Sequence, residues 1–217
     1  VTVIAQRVIG QPGDLQVEGT SILDAGADFV SVSGFFSTLG GGTLRMQDDS
    51  AHVWMQQGAS FGGGSTAGLL TAGLLEIGGN FTQNGDPESF AASGTHVTEF
   101  VGNQNQSVGF ASPGNGAGAS HFHHLALGQT EGGVSVQLGS DVFATGQLRS
   151  GTGAVRTFSG GGVAVTTAGA NIADAMFDGV RWDLLDGAPV TDITGIVFTN
   201  QDPAATQFRV QRAGGTV

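Results

Sequence analysis

Phenylalanine recurs along this chain at an interval that few folds accommodate. When one phenylalanine is taken for each turn signal, successive residues from Phe36 onward are separated by 15 to 25 positions, with a mean close to 20. A fixed period of this length is typical of a solenoid, in which successive coils stack on one another. Stacking places like residues in columns, so we expect an internal ladder of offset rings. The predicted ladder consists of Phe36, Phe61, Phe81, Phe100, Phe122, Phe143, Phe158, Phe177 and Phe198.

The abundance of glycine favours short strands and tight turns over helices. Glycine supplies 39 of the 217 residues, whereas its average usage is about 7%. A glycine inside a helix costs roughly 1 kcal/mol, while turns use its conformational freedom. Segments such as "FVSVSG" 29–34, "HVWMQ" 52–56 and "HVTEFVG" 96–102 alternate apolar and polar residues at the period of a strand. The sequence therefore predicts an all-β chain.

Two all-β architectures share a repeat of about 20 residues, the parallel β-solenoid and the β-sandwich of hairpins. Hairpins favour Asn-Gly turns between strongly alternating strands, but the Asn-Gly pairs at 84–85 and 115–116 lie in longer loops. The apolar positions are mostly small residues, which suits a narrow core with one large side chain per coil. We therefore predict a single domain over residues 1–217, a parallel β-helix (β-solenoid) of roughly ten coils. A β-sandwich is the alternative.

Two stretches resemble the repeats of a known class of protein. Residues 69–150 include "LLTAGLLEIGGNFTQ", "FAASGTHVTEFVGNQNQSVGF" and "VSVQLGSDVFATGQLRS". This run resembles the repeat region of secreted bacterial right-handed parallel β-helix surface proteins, of the adhesin and autotransporter-passenger type. Residues 177–212 are similar to the terminal coils of such proteins. The resemblance implies a β-helical fold and a secreted, extracellular or cell-surface location, and it carries no catalytic residue across.

The charge of the chain excludes several classes of partner. Its seven basic residues are all arginine, and 18 acids give a formal net charge of −11. Nucleic-acid binding needs clustered cations, so we expect no nucleic-acid partner. No run of 18 apolar residues exists that could cross a bilayer as a helix, so we predict no membrane insertion. The absence of cysteine excludes disulfides, thiolate metal sites and a cysteine nucleophile.

The stretch "HFHH" at 121–124 is the most suggestive cluster for metal chemistry. On a strand, His121 and His123 would point to one side and Phe122 and His124 to the other. Two imidazoles could bind a borderline metal if a third ligand such as His96 came close. A histidine-rich outer strand face is the simpler interpretation, so His121, His123 and His96 stand only as weak metal candidates. No cofactor is predicted.

The sequence offers no convincing catalytic constellation. Asp48 and Asp49 are adjacent, and neighbouring residues of a strand point to opposite faces, so both are expected in the turn after "LRMQ". Trp54 and Trp182 could stack on sugars, but a sugar platform usually has several aromatics, and packing at the core or at a coil edge is the better interpretation. We therefore predict that the protein is not an enzyme.

Two functions fit these observations. The first is a non-enzymatic extracellular structural or adhesive protein, and the alternative is a β-helix protein that binds or cleaves carbohydrate, with extracellular polysaccharide as its partner. The end segments 1–10 and 206–217 are apolar, weakly charged strands that would invite strand addition and open-ended fibre growth. The rival explanation is that adjoining domains of a longer surface protein cover them. The residues predicted at the subunit joint are Val1, Val3, Ile4, Val8, Ile9, Phe208 and Val210.

Overall fold

A computed structural model describes residues 13–128 and 135–146 and, outside these ranges, the remaining strands alone. Every described regular element is a β-strand, and every pair of neighbouring strands runs parallel. The pairs nearest the two ends of the chain illustrate this: Thr2–Ile4 pairs with Ile22–Asp24, and Ala164–Thr167 with Arg209–Arg212. The strands stack into a β-solenoid of about five turns over the continuously described residues. The prediction of a parallel β-solenoid is confirmed, and the β-sandwich is excluded.

The first face of the solenoid is a seven-stranded sheet, and the second is a nine-stranded sheet. The first comprises β2 (Ile9–Gln11), β5 (Phe29–Val32), β8 (His52–Met55), β10 (Leu74–Ile77), β12 (Val97–Phe100), β14 (His124–Leu127) and β17 (Leu148–Ser150). The second comprises β3 (Leu15–Val17), β6 (Phe36–Leu39), β9 (Gly58–Gly62), β11 (Asn80–Gln83), β13 (Gln106–Phe110), β15 (Ser135–Leu138), β18 (Arg156–Ser159), β21 (Ile196–Thr199) and β20 (Met176–Phe177). The second sheet thus has nine strands, against the roughly ten coils predicted.

The third face is less regular than the other two. It begins with β1 (Thr2–Ile4), β4 (Ile22–Asp24) and β7 (Thr43–Arg45), and it ends with β16 (Val142–Ala144), β19 (Ala164–Thr167) and β22 (Arg209–Arg212). Between these two sheets the contact continues through single parallel bridges, including Met46 to Leu70 and Leu70 to Ala92. The third wall therefore follows the same coils with fewer hydrogen-bonded residues in each.

Coil length varies along the solenoid. Leu15 aligns with Phe36, 21 residues later, whereas Gln106 aligns with Val136, 30 residues later. The added residues lie in corners and in the third wall and not in the strands, because the paired strands keep their register across each coil. This variation explains why the phenylalanine interval averages 20 but is not constant.

Each strand alternates between inward and outward residues, as its pleat requires. In β5, β8, β10 and β12 the second and fourth residues are buried and the first and third are half-buried. The inward residues of all three faces form one continuous hydrophobic core. Consequently the first and third residues of these strands make up the outer surface of the first face.

The phenylalanine side chains do not form one column. Phe36, Phe61, Phe81, Phe100 and Phe122 are fully buried, but Phe36 aligns with Ala59 and Phe61 aligns with Thr38. Phe81 belongs to the second face, Phe100 to the first and Phe122 to the third. The rings therefore enter the core from different walls and pack as a cluster. The strict ladder of the prediction is wrong because a residue's wall depends on local corner length.

Phe143 departs from the prediction altogether. It lies between the buried Val142 and Ala144 in β16 and is itself half-buried, since alternation turns it outward. Phe158, Phe177 and Phe198 have side chains outside the described residues. Their backbones are aligned, however, because Phe158 pairs with Phe198 and Phe177 also pairs with Phe198.

The strands predicted at a subunit joint lie at sheet edges. β1 and β2 are the first strands in the order of their sheets, and β22 is the last strand of its sheet. Val3 aligns with Leu23, Ile9 with Val30 and Val210 with Val165. Ile4 is also in β1, whereas Val1, Val8 and Phe208 lie outside the described residues.

Candidate functional site

An open groove lies at the corner between the first and second faces. The linkers that turn this corner differ in length. Only two residues join β8 to β9, at 56–57, and two join β10 to β11, at 78–79, whereas 101–105 joins β12 to β13. The longer linker carries exposed residues at 103–105. It therefore forms a wall beside the two tighter corners.

Stacked glycines form the floor of the groove. A Cβ on Gly78 would collide with the carbonyl oxygen of Gln56, and a Cβ on Gly102 would collide with the carbonyl oxygen of Gly78. These obstacles are backbone atoms, which cannot move away as a flexible side chain can. Glycine at these positions lets the coils stack closely and leaves the corner free of side chains.

The groove has a volume of about 560 Å³ and combines one aromatic with polar and apolar residues. Its lining consists of Trp54, Gln56, Glu76, Gly78, Val101, Gly102 and Asn103. Trp54 and Glu76 come from consecutive strands of the first face, where their Cα positions are aligned. Glu99 aligns with Glu76 in the next coil. Indole and carboxylate thus stand side by side on the outer surface.

A hydrogen bond to a neighbouring histidine holds the carboxylate of Glu76 in place. His52 Nε2 lies 2.6 Å from Glu76 Oε2, and since an ionised carboxylate only accepts, the imidazole donates. The ring of His52 also packs edge-on against Phe29, with centroids 4.7 Å apart. Glu76 is therefore fixed from the side away from the groove, and its Oε1 accepts no hydrogen bond from the described residues.

Three other polar groups face the groove without protein partners in the described part of the chain. They are the indole Nε1–H of Trp54, the side-chain amide of Gln56 and the side-chain amide of Asn103. Trp54 and Gln56 are half-buried, and Asn103 is exposed. Together with Glu76 they offer donors and acceptors on three sides of one concave surface. Such an arrangement can bind a small polar ligand that also has an apolar face.

The sequence analysis assigned Trp54 to packing and did not identify Gln56, Glu76 or Asn103. The useful signal was the coil period itself. Trp54 and Glu76 are 22 residues apart, and residues one period apart on the same strand face become neighbours. A paired-carboxylate search based on adjacent residues also missed Glu76 and Glu99, which become neighbours only through stacking.

The predicted metal candidates do not form a ligand set. His96 is fully buried, and its Nδ1 donates to the carbonyl oxygen of Ala72 at 2.9 Å. Burial lowers the pKa of His96 to about 4. His123 Nδ1 contacts Thr145 Oγ1 at 2.9 Å, and burial lowers the pKa of His121. Among the described residues no three His, Asp or Glu side chains are placed to hold a metal ion.

The alternation expected for "HFHH" is broken by a corner. Phe122 points into the core while His121, His123 and His124 are all half-buried, and the rings of His123 and His124 lie 4.3 Å apart. His124 begins β14 on the first face, whereas Phe122 bridges to Ala144 on the third. The chain turns between these two residues, so a strand periodicity cannot run through all four.

Asp48 and Asp49 lie in a turn, as expected. Asp48 Oδ1 accepts hydrogen bonds from the backbone N–H and the hydroxyl of Ser50 at 2.9 and 2.6 Å, and these bonds lower its pKa. Asp49 Oδ1 accepts from the hydroxyl of Thr95 at 2.5 Å. Both carboxylates are exposed. Their hydrogen bonds shape the turn and tie it to another coil.

Comparisons with protein-family models, with curated proteins and with solved structures gave no match. No helix within the described residues is long and apolar enough to cross a membrane. The resemblance to secreted β-helix surface proteins therefore stays a prediction.

Proposed function

We propose that this protein is a non-enzymatic structural or adhesive component of the cell exterior, in which the rigid β-solenoid supplies the function. The observation that carries the proposal is the continuous stacking of three parallel walls. Neighbouring strands stay in register through the described coils, as from β5 through β8 and β10 to β12. A rod of this kind keeps its shape because every coil is hydrogen-bonded to the next.

Self-association follows from the edges of the sheets. β1, β2 and β3 stand at one edge of the three sheets, and β17, β20 and β22 stand at the other. A strand edge carries backbone donors and acceptors that can pair with another strand. Since the two edges differ, contact between copies is heterologous and need not close, which produces filaments. In a longer chain, adjoining coils or domains would occupy the same edges.

The non-enzymatic part of the proposal draws on the polar groups of the coils. Asp48 and Asp49 are engaged in turn hydrogen bonds. The outer pair Glu76 and Glu99 is the arrangement that most resembles glycosidase carboxylates. Release of reducing ends from a neutral or acidic polysaccharide, lost in a Glu76→Gln variant, would overturn this part of the proposal.

Sedimentation and electron microscopy of the 217-residue protein test the assembly. We expect filaments whose diffraction repeats at about 4.8 Å along the axis. A variant with proline at Val3, Ile4, Ile9 and Gly10 should sediment as a monomer, because consecutive prolines remove donors on both sides of an edge strand. Prolines at Gly116 and Ala117, in an exposed turn, are the control and should leave the filaments intact.

The two outcomes separate the proposal from its rival. Filaments that dissolve only in the edge variant support end-to-end assembly. A monodisperse wild-type monomer across a wide range of protein concentrations refutes assembly of this chain by itself and favours adjoining domains as the partners of the edges.

A further inference from the structure

We propose that the groove lined by Trp54, Gln56, Glu76 and Asn103 binds a neutral oligosaccharide, with one pyranose ring lying on the indole of Trp54. This site goes beyond the structural role and does not depend on filament formation. A pyranose has one apolar C–H face and a rim of hydroxyl groups. The groove matches both features within one concave surface of about 560 Å³.

Trp54 supplies the apolar platform. It occupies the third position of β8, so it points away from the core, and its side chain is only partly covered. Its Cα neighbours across the sheet are Ser31 and Glu76. Because Ser31 is small and Glu76 is held by His52, neither residue needs to cover the indole face. An indole with one face open and its N–H free to donate suits a sugar better than it suits a purely apolar ligand.

The polar lining suits hydroxyl groups. Glu76 Oε1 offers a charged acceptor, which makes stronger hydrogen bonds than a neutral one. The side-chain amides of Gln56 and Asn103 each offer a donor and an acceptor. A sugar hydroxyl both donates and accepts, so it can satisfy any of these groups.

The charges around the groove select against acidic sugars. The lining contains one carboxylate and no arginine, and Glu99 lies next to Glu76 in the sheet. Arg45 is the only arginine with a described side chain, and it is paired with Asp24 on the third face. A uronate would therefore meet negative charge without a compensating cation. This excludes anionic polysaccharides as ligands and leaves neutral glycans, including N-acetylated ones.

The geometry of the site is set before the ligand arrives. Gln106 fixes the longer corner, since its Oε1 accepts from Gly102 N at 3.0 Å and its Nε2 donates to the carbonyl oxygens of Ile77 and Gly79 at 2.9 and 2.6 Å. Asn103 follows directly after this anchored glycine. A preformed wall lowers the entropy cost of binding.

Binding can be followed through Trp54 itself. The sequence contains two tryptophans, so a Trp182→Phe variant leaves Trp54 as the sole indole. The probes are hexamers of β-1,4-linked glucose, xylose and N-acetylglucosamine, with a galacturonate hexamer as the anionic comparison. At least one neutral hexamer should produce a saturable change in fluorescence, and the galacturonate hexamer should bind at least about tenfold more weakly or not at all.

Variants locate the site by isothermal calorimetry. Trp54→Ala should weaken binding by about tenfold or more, the size expected from loss of one aromatic platform. Asn103→Ala, at an exposed position that tolerates substitution, should weaken it several-fold without a change in thermal unfolding. Phe143→Ala, which removes a half-buried outward ring on the third face, should leave the dissociation constant unchanged.

Three outcomes would overturn the proposal. They are the absence of saturable binding to every neutral hexamer at millimolar concentration, equal affinity in wild type and both groove variants, and equal or tighter binding of the galacturonate hexamer. Asn103→Ala preserves the test if Trp54→Ala fails to fold.

Discussion

The ring centroids of Phe81 and Phe122 lie 5.1 Å apart, although the two residues belong to different walls of the solenoid. Phe81 points inward from β11 on the second face, and Phe122 enters from the third. Phe81 also contacts the rings of Phe90 at 4.9 Å and Phe110 at 5.1 Å. One side chain thus packs against aromatic residues from several segments of the chain.

Truncation of Phe81 should remove the centre of this cluster. We expect Phe81→Ala to lower the free energy of unfolding by about 3–5 kcal/mol, because the lost contacts and the remaining cavity both contribute. Phe143→Ala should cost less than about 1 kcal/mol, since its ring is only half-buried. Urea unfolding of both variants measures the difference. Equal losses would show that the cluster is not the stabilising core.

The fold class follows from sequence because stacking converts a period into a structure. Recurrent phenylalanines, abundant glycine and short alternating segments each indicate narrow stacked coils, and the structure is a parallel β-solenoid. The assignment of single residues is less accessible. The wall occupied by a residue depends on corner length, and the corners at 56–57 and 101–105 differ by three residues. Such differences shift Phe100 and Phe122 onto different faces.

The groove was accessible only in part for the same reason. Aligning the chain by coils brings Trp54 beside Glu76, because strand register is preserved between β8 and β10. The wall at Asn103 could not be predicted in this way. It depends on the longer corner and on the buried amide of Gln106, which anchors Gly102.

Close stacking at the corners predicts a sharp contrast between two glycines. A Cβ on Gly79 would collide with backbone atoms of Gln57, whereas a Cβ on Gly109 would meet nothing within 4 Å. Gly79→Ala should therefore cost about 1–3 kcal/mol through overpacking. Gly109→Ala should be neutral or stabilise by up to about 1 kcal/mol by restricting the unfolded chain. Thermal and urea unfolding can check both values, and a harmless Gly79→Ala would contradict the close contact.

Gln106 should be sensitive to a change of a single atom. Its buried Nε2 donates to two carbonyl oxygens, and Gln106→Glu would replace these bonds with contacts between acceptors. We expect a loss of about 2–4 kcal/mol at pH 7. Gln104→Glu, at an exposed position of the same corner, should change stability by less than about 0.5 kcal/mol.

The Gln106→Glu penalty should also decrease as the pH falls, because a protonated carboxyl can donate one of the lost hydrogen bonds. Urea unfolding of wild type, Gln106→Glu and Gln104→Glu at pH 7 and pH 5 measures this change. A penalty of equal size for both variants would contradict the anchoring role of Gln106.

His96 should make the solenoid sensitive to acid. It is fully buried beneath the first face, with Nδ1 bound to the carbonyl oxygen of Ala72 and Nε2 without a hydrogen-bond partner in the described structure. Protonation would place a charge on a buried nitrogen that has no acceptor. Burial is the main cause that lowers its pKa to about 4, and the nearby His123 and His124 lower it further.

The sign of the pH dependence follows from this pKa. In the unfolded chain His96 titrates near pH 6.5, so below that pH the unfolded state binds the proton first. The contribution of neutral His96 is complete above about pH 6.5 and is lost as the pH falls towards 4, by about 3 kcal/mol in all. Carboxylates and the other histidines also titrate below pH 7, so a matched variant is needed. His96→Gln keeps an N–H for Ala72 and does not titrate. Its unfolding free energy should fall less than that of wild type between pH 7 and pH 4, and parallel curves for the two proteins would show that His96 is not the acid-sensitive group.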